Sequence, residues 1–363
     1  MVPKLARPEF EAPVARITRR VEDAIEGMRS YGAAPLWGEA VNATLSTVRA
    51  TSHLLRAQLV LLGSLAGGGT SEGDGIERFA AGVELLHLFM LVHDDVMDNA
   101  QLRRGRPALR VALSSAAPHL EWQQARDLSI VVGNVINVLA TRHILPGPGA
   151  PPGEVAAAEL VLDGCCHAGA GQFQDLLGFQ GLGDDEDALR RELVDKTAFH
   201  AFAAPFAAGV RLASSSSVAA AAALAWGRRV GLAFQATDDL ADLVSSPAVT
   251  GKDSLRDLLE GRPSLPLYFL RRRATGDARD LVDATIGRHT IEYGVRARID
   301  DLLRELGVIG ACISFARAEL SEAAKLTETS GFTPQAREGM AAIERGLHAY
   351  LDVITANASQ EIE

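Results

Sequence analysis

The sequence predicts an all-α protein built as a single large helical bundle, and three observations support this. Alanine and leucine, which favour helices, recur along all 363 residues, whereas aromatic residues make up only 5%. Runs in which polar and β-branched residues alternate, as they do in half-buried strands, are almost absent. Clusters of glycine, proline and serine cut the chain into blocks of helical length. We therefore expect roughly ten to twelve helices.

The boundaries of these helices follow from the breakers. Segments 67–75 and 146–153 are rich in glycine, serine or proline, segment 181–187 is an acidic turn, and all three predict loops. The serine run 214–217 predicts a helix start with a hydroxyl cap. Segment 247–266 is polar and rich in glycine and proline, which predicts a loop with a functional role.

Two segments stand out as candidates for the centre of the bundle. Segment 79–96 is apolar nearly all round, which predicts a buried helix. Segment 218–243 is similar, and its many alanines would allow close packing of helices. Because no breaker separates two cores, we expect one domain over residues 1–363.

The composition excludes several classes of protein. A net charge of −10 argues against a nucleic-acid partner. Cys165, Cys166 and Cys312 form no disulfide framework and fit a reducing cytoplasm as small core residues. The chain begins without an apolar signal segment and contains no uncharged apolar stretch long enough to span a membrane. We therefore expect a cytoplasmic protein.

The most informative feature is a short acidic run, D-D-x-x-D, that occurs twice, each time after a long apolar stretch. On a helix, positions i, i+1 and i+4 share one side, so the three carboxylates could reach one cation together. Oxygen ligands suit magnesium, which completes its shell with water and phosphate oxygens. Two facing clusters could hold several magnesium ions around one diphosphate. The runs contain Asp94, Asp95 and Asp98, and Asp238, Asp239 and Asp242.

A single such run would be as consistent with a solvated helix end as with a metal site. Two copies that each end an apolar helix favour the metal site, because buried carboxylates are costly without a partner. Basic residues accompany them: Arg103 and Arg104 follow the first run, Lys196 lies in a helical block, and Lys252 follows the second run. Each alone would be an ordinary surface charge. Together they predict a phosphate-and-metal site.

These stretches resemble those of the trans-isoprenyl diphosphate synthases, or polyprenyl synthetases. The resemblance runs in the family's order from about residue 50 to 266, whereas segment 267–363 carries no recognisable motif. It implies the isoprenoid synthase type I fold, a central active-site cavity and a homodimer. The matching stretches are 87–98, 103–105, 196–197, 234–242, 251–252 and 257–262.

The resemblance also implies a reaction and a role for each residue. An allylic diphosphate would lose its diphosphate, isopentenyl diphosphate would attack the resulting cation, and the departing diphosphate would accept the final proton. The six aspartates would bind magnesium, three ions per active site. Arg103, Lys196, Lys252 and Arg262 would bind the allylic diphosphate. Thr197 and Gln235 would line the reacting centre, with Lys196 and Lys252 as further catalytic residues.

The site for isopentenyl diphosphate departs from the family's pattern. Relatives usually have Gly-Gly-Lys with an arginine three residues after that lysine. Here His53 occupies the lysine position, and Arg56 keeps its place. His87 and Arg104 match the remaining ligands of this diphosphate. Histidine is only partly charged near neutral pH, so the pocket would hold a diphosphate less tightly, unless His53 is simply a surface residue.

Two residues bear on product length. Phe89 lies about 7.5 Å before Asp94 along a helix axis, where its ring could form the floor of the pocket. The resemblance implies geranylgeranyl diphosphate for an aromatic at this place. Met90, being larger than usual, would shorten the product toward farnesyl diphosphate. We expect geranylgeranyl diphosphate rather than farnesyl diphosphate, unless Phe89 merely packs in the core.

Three other functions are compatible with parts of the sequence. A terpene cyclase of the same fold would share the first acidic run but usually not the second. A non-catalytic subunit of a heteromeric synthase would fit the altered segment around His53, yet such subunits commonly lose an aspartate run. A phosphohydrolase with a His-Asp pair, suggested by His93 and Asp94, would need more histidines at ligand spacing. The isolated His143 and His167 and the equally isolated His200 do not supply them.

Overall fold

A computed structural model describes residues 8–50, 53–178, 185–244, 255–288 and 290–360. The chain divides into two compact units. Among the described residues, the N-terminal unit comprises 8–161 and 208–216, and the C-terminal unit comprises 162–207 and 217–360. The single domain expected from the sequence therefore stays a prediction.

The N-terminal unit consists of helices and one small hairpin. Its helices begin with α1, which a 3-10 turn follows at Met28–Tyr31. The hairpin strands β1 and β2 lie between the fourth and fifth helices. The bounds are α1 Pro8–Gly27, α2 Pro35–Arg49, α3 Leu55–Ala66, α4 Asp74–Met97, β1 Leu102–Arg103, β2 Arg106–Pro107, α5 Leu109–Ala116 and α6 Trp122–Ile144.

The remaining secondary-structure elements of the described residues are all helical. The boundary between the two units falls within α7 and again within α9. A π-helical segment, Val194–Ala203, joins α8 to α9. The bounds are α7 Pro152–Leu177, α8 Glu186–Leu193, α9 Ala204–Ala213, α10 Ser217–Val244, α11 Arg256–Glu260, α12 Leu265–Arg273, α13 Asp277–Thr285, α14 Tyr293–Glu305, α15 Val308–Thr329 and α16 Pro334–Gln360.

Helix α4 is the central helix that segment 79–96 predicts. Asp74 and Glu77 in its first turn suit the positive end of the helix dipole. It packs mainly on α6, and two glycines allow the close approach. A Cβ on Gly82 would lie 2.8 Å from Ile144, and one on Gly133 of α6 would lie 2.5 Å from the His93 ring. This packing holds the C-terminal turn of α4, which carries the first acidic run.

Helix α10 is the second buried helix that the sequence predicts, and it packs against α15 and the π-helical segment. A Cβ on Gly227 would lie 2.4 Å from the Cα of Ala203, and one on Gly231 would lie 2.5 Å from the Cα of Ala198. Backbone contact at these two glycines fixes α10 against the segment that carries Lys196.

The structure corrects two expectations about irregular segments. Segment 247–266 is not a loop throughout, since α11 occupies Arg256–Glu260 and Pro266 lies in the first turn of α12. Proline is tolerated there because its missing N–H would have no helical partner. The hairpin at 102–107 was not expected; Arg104 and Gly105 form its turn with φ of 53° and 74°. Among the described helices, none is both long and apolar enough to cross a membrane.

The glycine contacts of α10 predict the effect of one added methyl group. We expect Gly231→Ala to lower the free energy of unfolding by about 1–3 kcal/mol, because its Cβ would collide with the Ala198 backbone. Gly169→Ala in α7 is the matched control. No atom lies within 4 Å of its Cβ, so it should be neutral or stabilise by about 0.5–1 kcal/mol. Thermal unfolding of both variants tests this, and equal melting temperatures would contradict the assigned contact.

Candidate active site

The first acidic run lies where α4 ends. Asp94 and Asp95 belong to its last turn, and Asp98 caps the helix by donating its N–H to the Asp94 carbonyl at 2.8 Å. Asp95 is 6% exposed, whereas Asp94 exposes about a third of its side chain. Burial raises the pKa of Asp95, and Arg103 opposes this rise. The carboxylates therefore differ in environment although they share one side of the helix.

Arg103 is the partner of this run. Its Nη2 lies 2.8 Å from Asp94 Oδ2 and 2.5 Å from Asp95 Oδ1, and its Nε donates to Asp95 Oδ1 at 2.7 Å. Arg103 belongs to β1 of the hairpin, which follows α4 directly along the chain, so a residue only eight positions after Asp95 supplies this contact. Binding of the allylic diphosphate by Arg103 stays a prediction. The structure shows the guanidinium already held beside the expected metal ligands.

A pocket in the N-terminal unit collects two of the four residues predicted to bind isopentenyl diphosphate, together with one carboxylate. Glu84, His87 and Arg104 line it along with apolar side chains from α1, α2 and α4. Arg56 interacts electrostatically with Glu84 from the start of α3. Burial lowers the pKa of Arg56 to about 10, and Glu84 opposes this change. His87, Arg104 and Arg56 are thus grouped around a carboxylate that sequence reasoning had not assigned to the site.

Glu84 is itself held at the start of α3. Its Oε1 accepts the Ala57 N–H at 2.8 Å, one of the amides that a helix start leaves without a helical partner. Burial raises the pKa of Glu84, and Arg56 and the backbone amides oppose this. In the sequence, Glu84 is a charged residue inside the largely apolar segment 79–96. That isolation was the available signal, since a buried carboxylate needs a partner.

His53 does not line this pocket, although its neighbour Leu54 does. It precedes α3, and its carbonyl accepts a hydrogen bond from the Gln58 side chain. Its Nδ1 is buried and has no hydrogen-bond partner among the described residues. The pocket lining, as far as the chain is described, includes neither His53 nor Arg56.

The second acidic run lies near the end of α10. As in the first run, its second aspartate is buried and its outer aspartates are more exposed. Asp238 is exposed and Asp242 is half-buried, whereas Asp239 is 9% exposed. Asp239 accepts hydrogen bonds from Gln235 Nε2 at 2.6 Å and from the Leu265 N–H at 3.1 Å. Burial raises the pKa of Asp239 to about 8, with a further rise from Asp257. Its carboxylate thus joins α10 to the start of α12.

In the C-terminal unit, Lys196 and Arg262, both predicted to bind the allylic diphosphate, contact Asp175, which was not predicted as a site residue. Asp175 of α7 is 1% exposed and lies 2.5 Å from Lys196 Nζ and 3.1 Å from Arg262 Nη1. Thr197, next in the π-helical segment, is half-buried. No spacing signal pointed to Asp175, because its partners lie on other elements.

The expected residues for product length also lie on α4. Phe89 and Met90 are half-buried, and both lie about one turn before the acidic run. The Phe89 ring meets His93 edge-on, with centroids 4.7 Å apart. Lys252, predicted to bind the allylic diphosphate, lies outside the described residues.

The described acidic residues fit a magnesium ion for which the protein supplies only part of the coordination shell. No three acidic, histidine or cysteine side chains in the described part converge into a complete metal site. Magnesium commonly takes one or two carboxylates and leaves the remaining positions to water and phosphate oxygens. Within the N-terminal unit the half-buried Asp94 and Asp98 are oxygen donors of that kind, and within the C-terminal unit so are the exposed Asp238 and the half-buried Asp242.

Comparisons with known proteins identify the family to which the sequence is similar. The family model described as polyprenyl synthetase matches residues 39–302. A short chain isoprenyl diphosphate synthase of Methanothermobacter thermautotrophicus is 32% identical over 248 residues, which cover 66% of this chain and 71% of that protein. A geranylgeranyl diphosphate synthase of Mycobacterium tuberculosis is 34% identical, with 62% of this chain and 61% of that protein covered.

The fold is also that of solved structures. A geranylgeranyl pyrophosphate synthase from Corynebacterium glutamicum, complexed with isoprenyl diphosphate and magnesium, matches with a TM-score of 0.81. The match covers 96% of this chain and 99% of that one at 21% identity, so it shows the fold alone. The fold together with the family match defines an all-α prenyltransferase. The chain belongs to the polyprenyl synthetase family.

A buried carboxyl beside Lys196 gives a prediction about pH. Glu192 of α8 is 4% exposed, and neither of its oxygens has a hydrogen-bond partner among the described residues. Burial raises its pKa from 4.5 to about 8, and Lys196 only partly opposes this. Between these values the folded protein binds the extra proton. Stability should therefore fall as pH rises, by up to about 1.4 kcal/mol per pH unit.

We expect Glu192→Gln, which cannot ionise, to remove this dependence. Without added metal, the melting temperature of the variant should exceed that of wild type by little near pH 5 and by more near pH 8. Glu186→Gln on the exposed first turn of α8 is the control and should follow wild type. A gap between Glu192→Gln and wild type that stays constant with pH would contradict the prediction.

Proposed function

We propose that this enzyme condenses isopentenyl diphosphate with an allylic diphosphate in a magnesium-dependent reaction. The observation that carries the proposal is the repeated arrangement of the two acidic runs. Each run ends a long buried helix, its second aspartate is hydrogen-bonded within the protein, and its outer aspartates retain exposure. Outer carboxylates of this kind suit magnesium bound to a diphosphate leaving group.

The cationic residues support ionisation of the allylic substrate. Arg103 lies beside Asp94 and Asp95, and Lys196 and Arg262 lie together on Asp175. Guanidinium and ammonium groups stabilise the charge that develops on a departing diphosphate. Bound magnesium, for which we propose three ions, would neutralise the same charge as a Lewis acid. Thr197 and Gln235 would present oxygens toward the allylic cation, and no dedicated general base is needed.

Isopentenyl diphosphate would bind in the pocket that Glu84, His87 and Arg104 line, with Arg56 behind them. Two arginines supply the charge that the usual lysine would have shared. His53, at the lysine position, would add at most part of a charge near neutral pH. The pocket therefore suits a diphosphate that is held chiefly by guanidinium groups.

Product length is proposed from α4. Phe89, half-buried and packed against His93, would limit chain growth and favour geranylgeranyl over farnesyl diphosphate. We also propose a cytoplasmic homodimer. On α6, Leu128, Val131 and Val138 form an apolar stripe that is 37–53% exposed, and a second copy of the chain would cover it.

The test of the reaction uses labelled isopentenyl diphosphate with dimethylallyl, geranyl or farnesyl diphosphate as primer. We expect a prenyl diphosphate product with magnesium and none after chelation with EDTA, because without the metal the carboxylates would repel the diphosphate leaving group. Reversed-phase chromatography of the dephosphorylated product gives its length. Absence of product from every primer in the presence of magnesium would refute the condensation.

Replacement of Phe89 tests the proposed limit on chain growth. We expect Phe89→Ala to shift the product to longer chains, because removal of the ring would open space about one turn before the acidic run. Phe173→Ala removes an exposed ring from α7 and should leave product length unchanged. If both variants make the wild-type product, Phe89 is not the floor of the pocket.

A further inference from the structure

Asp175 is one of the most deeply buried carboxylates of the C-terminal unit, and both its oxygens contact cations. Oδ1 lies 2.5 Å from Lys196 Nζ, and Oδ2 lies 3.1 Å from Arg262 Nη1. Its side chain is 1% exposed, whereas that of Lys196 is 27% exposed and that of Arg262 is 16% exposed. The two cations are therefore more exposed than the anion that contacts both, and Arg262 Nε also lies 2.7 Å from Glu260 Oε2.

Two glycines, one on either side of Asp175 in the sequence, bring the backbone near Lys196 and Arg262 close to this carboxylate. A Cβ on Gly171, one turn earlier, would lie 2.4 Å from the Lys196 nitrogen and 2.5 Å from its Cα. A Cβ on Gly178, just after the helix, would lie 2.9 Å from the Gly261 carbonyl oxygen. The backbone at Lys196 and the residue before Arg262 are thus in direct contact with this part of the chain. Asp175 lies between the two contacts and reaches both cations.

Because Asp175 is buried and charged, it must make well-aligned contacts with Lys196 and Arg262. A buried carboxylate without a cation would be strongly unfavourable, and a buried pair is favourable only when its geometry is good. Lysine has three donors on a flexible stem, and arginine presents a planar fork, so each needs a fixed anchor to point in one direction. Asp175 takes one donor from Lys196 and holds Arg262 at the same time. Lys196 therefore keeps further N–H donors for a ligand.

We propose that Asp175 is a positioning residue for the allylic diphosphate: it orients Lys196 and Arg262 so that both face this substrate. The inference rests on the proposed function of these two cations. It assigns Asp175 no contact with substrate and no proton transfer. Its effect should therefore fall on the allylic diphosphate and on the step in which this substrate ionises, rather than on isopentenyl diphosphate.

Steady-state kinetics of Asp175→Asn test this, with one substrate varied while the other is saturating. We expect kcat/KM for the allylic substrate to fall about 10- to 100-fold, because displaced cations no longer meet the diphosphate. The KM for isopentenyl diphosphate should stay within about twofold of wild type. Asp195→Asn is the matched control: it removes a partly exposed acid next to Lys196 that pairs with His167 at 2.8 Å, and it should leave both constants unchanged.

Asp175→Glu separates position from charge and also covers the case in which Asp175→Asn fails to fold. It keeps the negative charge but extends the carboxylate by one methylene, so a positioning role predicts a smaller, still selective loss for the allylic substrate. Equal changes in both KM values, or a lowered melting temperature with wild-type kinetics, would refute the role of Asp175.

A binding measurement distinguishes failure of this inference from failure of the proposed function. If the wild-type protein makes no prenyl product, the condensation is refuted, but calorimetry with inorganic pyrophosphate and magnesium still reports on the cations. We expect Asp175→Asn to weaken this binding about tenfold or more relative to Asp195→Asn. Equal affinities of the two variants would overturn the inference.

Discussion

A carboxylate that leaves water needs a cation or a set of N–H donors, and this constraint organises both units. Asp95 is satisfied by Arg103 from the hairpin, and Asp239 by the Leu265 N–H at the start of α12. Asp175 is satisfied by two cations from two other elements. In each case the partner comes from a different part of the chain. The electrostatic requirement therefore determines how the hairpin, the π-helical segment and α12 approach the helix that carries the acid.

The same constraint gives the aspartates within each D-D-x-x-D run different environments. A helix places all three carboxylates on one side, but the second of each run, Asp95 or Asp239, is the buried one, and it accepts hydrogen bonds from other residues of the protein. Burial raises the pKa of this inward carboxylate in both runs. The outer positions are exposed or half-buried, so solvent and a metal with its water shell could reach them. Each run thus contains one buried aspartate and two aspartates that are at least partly exposed to solvent.

The sequence was sufficient for features with a local signal. Apolar length placed α4 and α10, and i, i+4 spacing placed the carboxylates on one side of each helix. Features that depend on contacts between elements were missed. Glu84 and Asp175 become part of the site only because α3 and the π-helical segment approach them, and the glycine contacts at Lys196 carry no motif. Helix α11 was missed because Gly261 suggested a loop, whereas its φ of 71° ends a helix.

The departure at His53 has a physical consequence for how the second diphosphate would be held. In the N-terminal unit, Arg56 and Arg104 both have pKa values lowered by burial, and the Glu84 carboxylate opposes the change at each. One carboxylate against two guanidiniums leaves a modest excess of positive charge, to which His53 adds little near neutral pH. Affinity in such a pocket depends on the direction of the guanidinium N–H groups more than on total charge. Glu84 is anchored to the Ala57 amide at the start of α3, so the charge that opposes both arginines is itself fixed in place. Without the lysine, Arg56 and Arg104 are therefore the main positive charges in this region, and one anchored carboxylate opposes both.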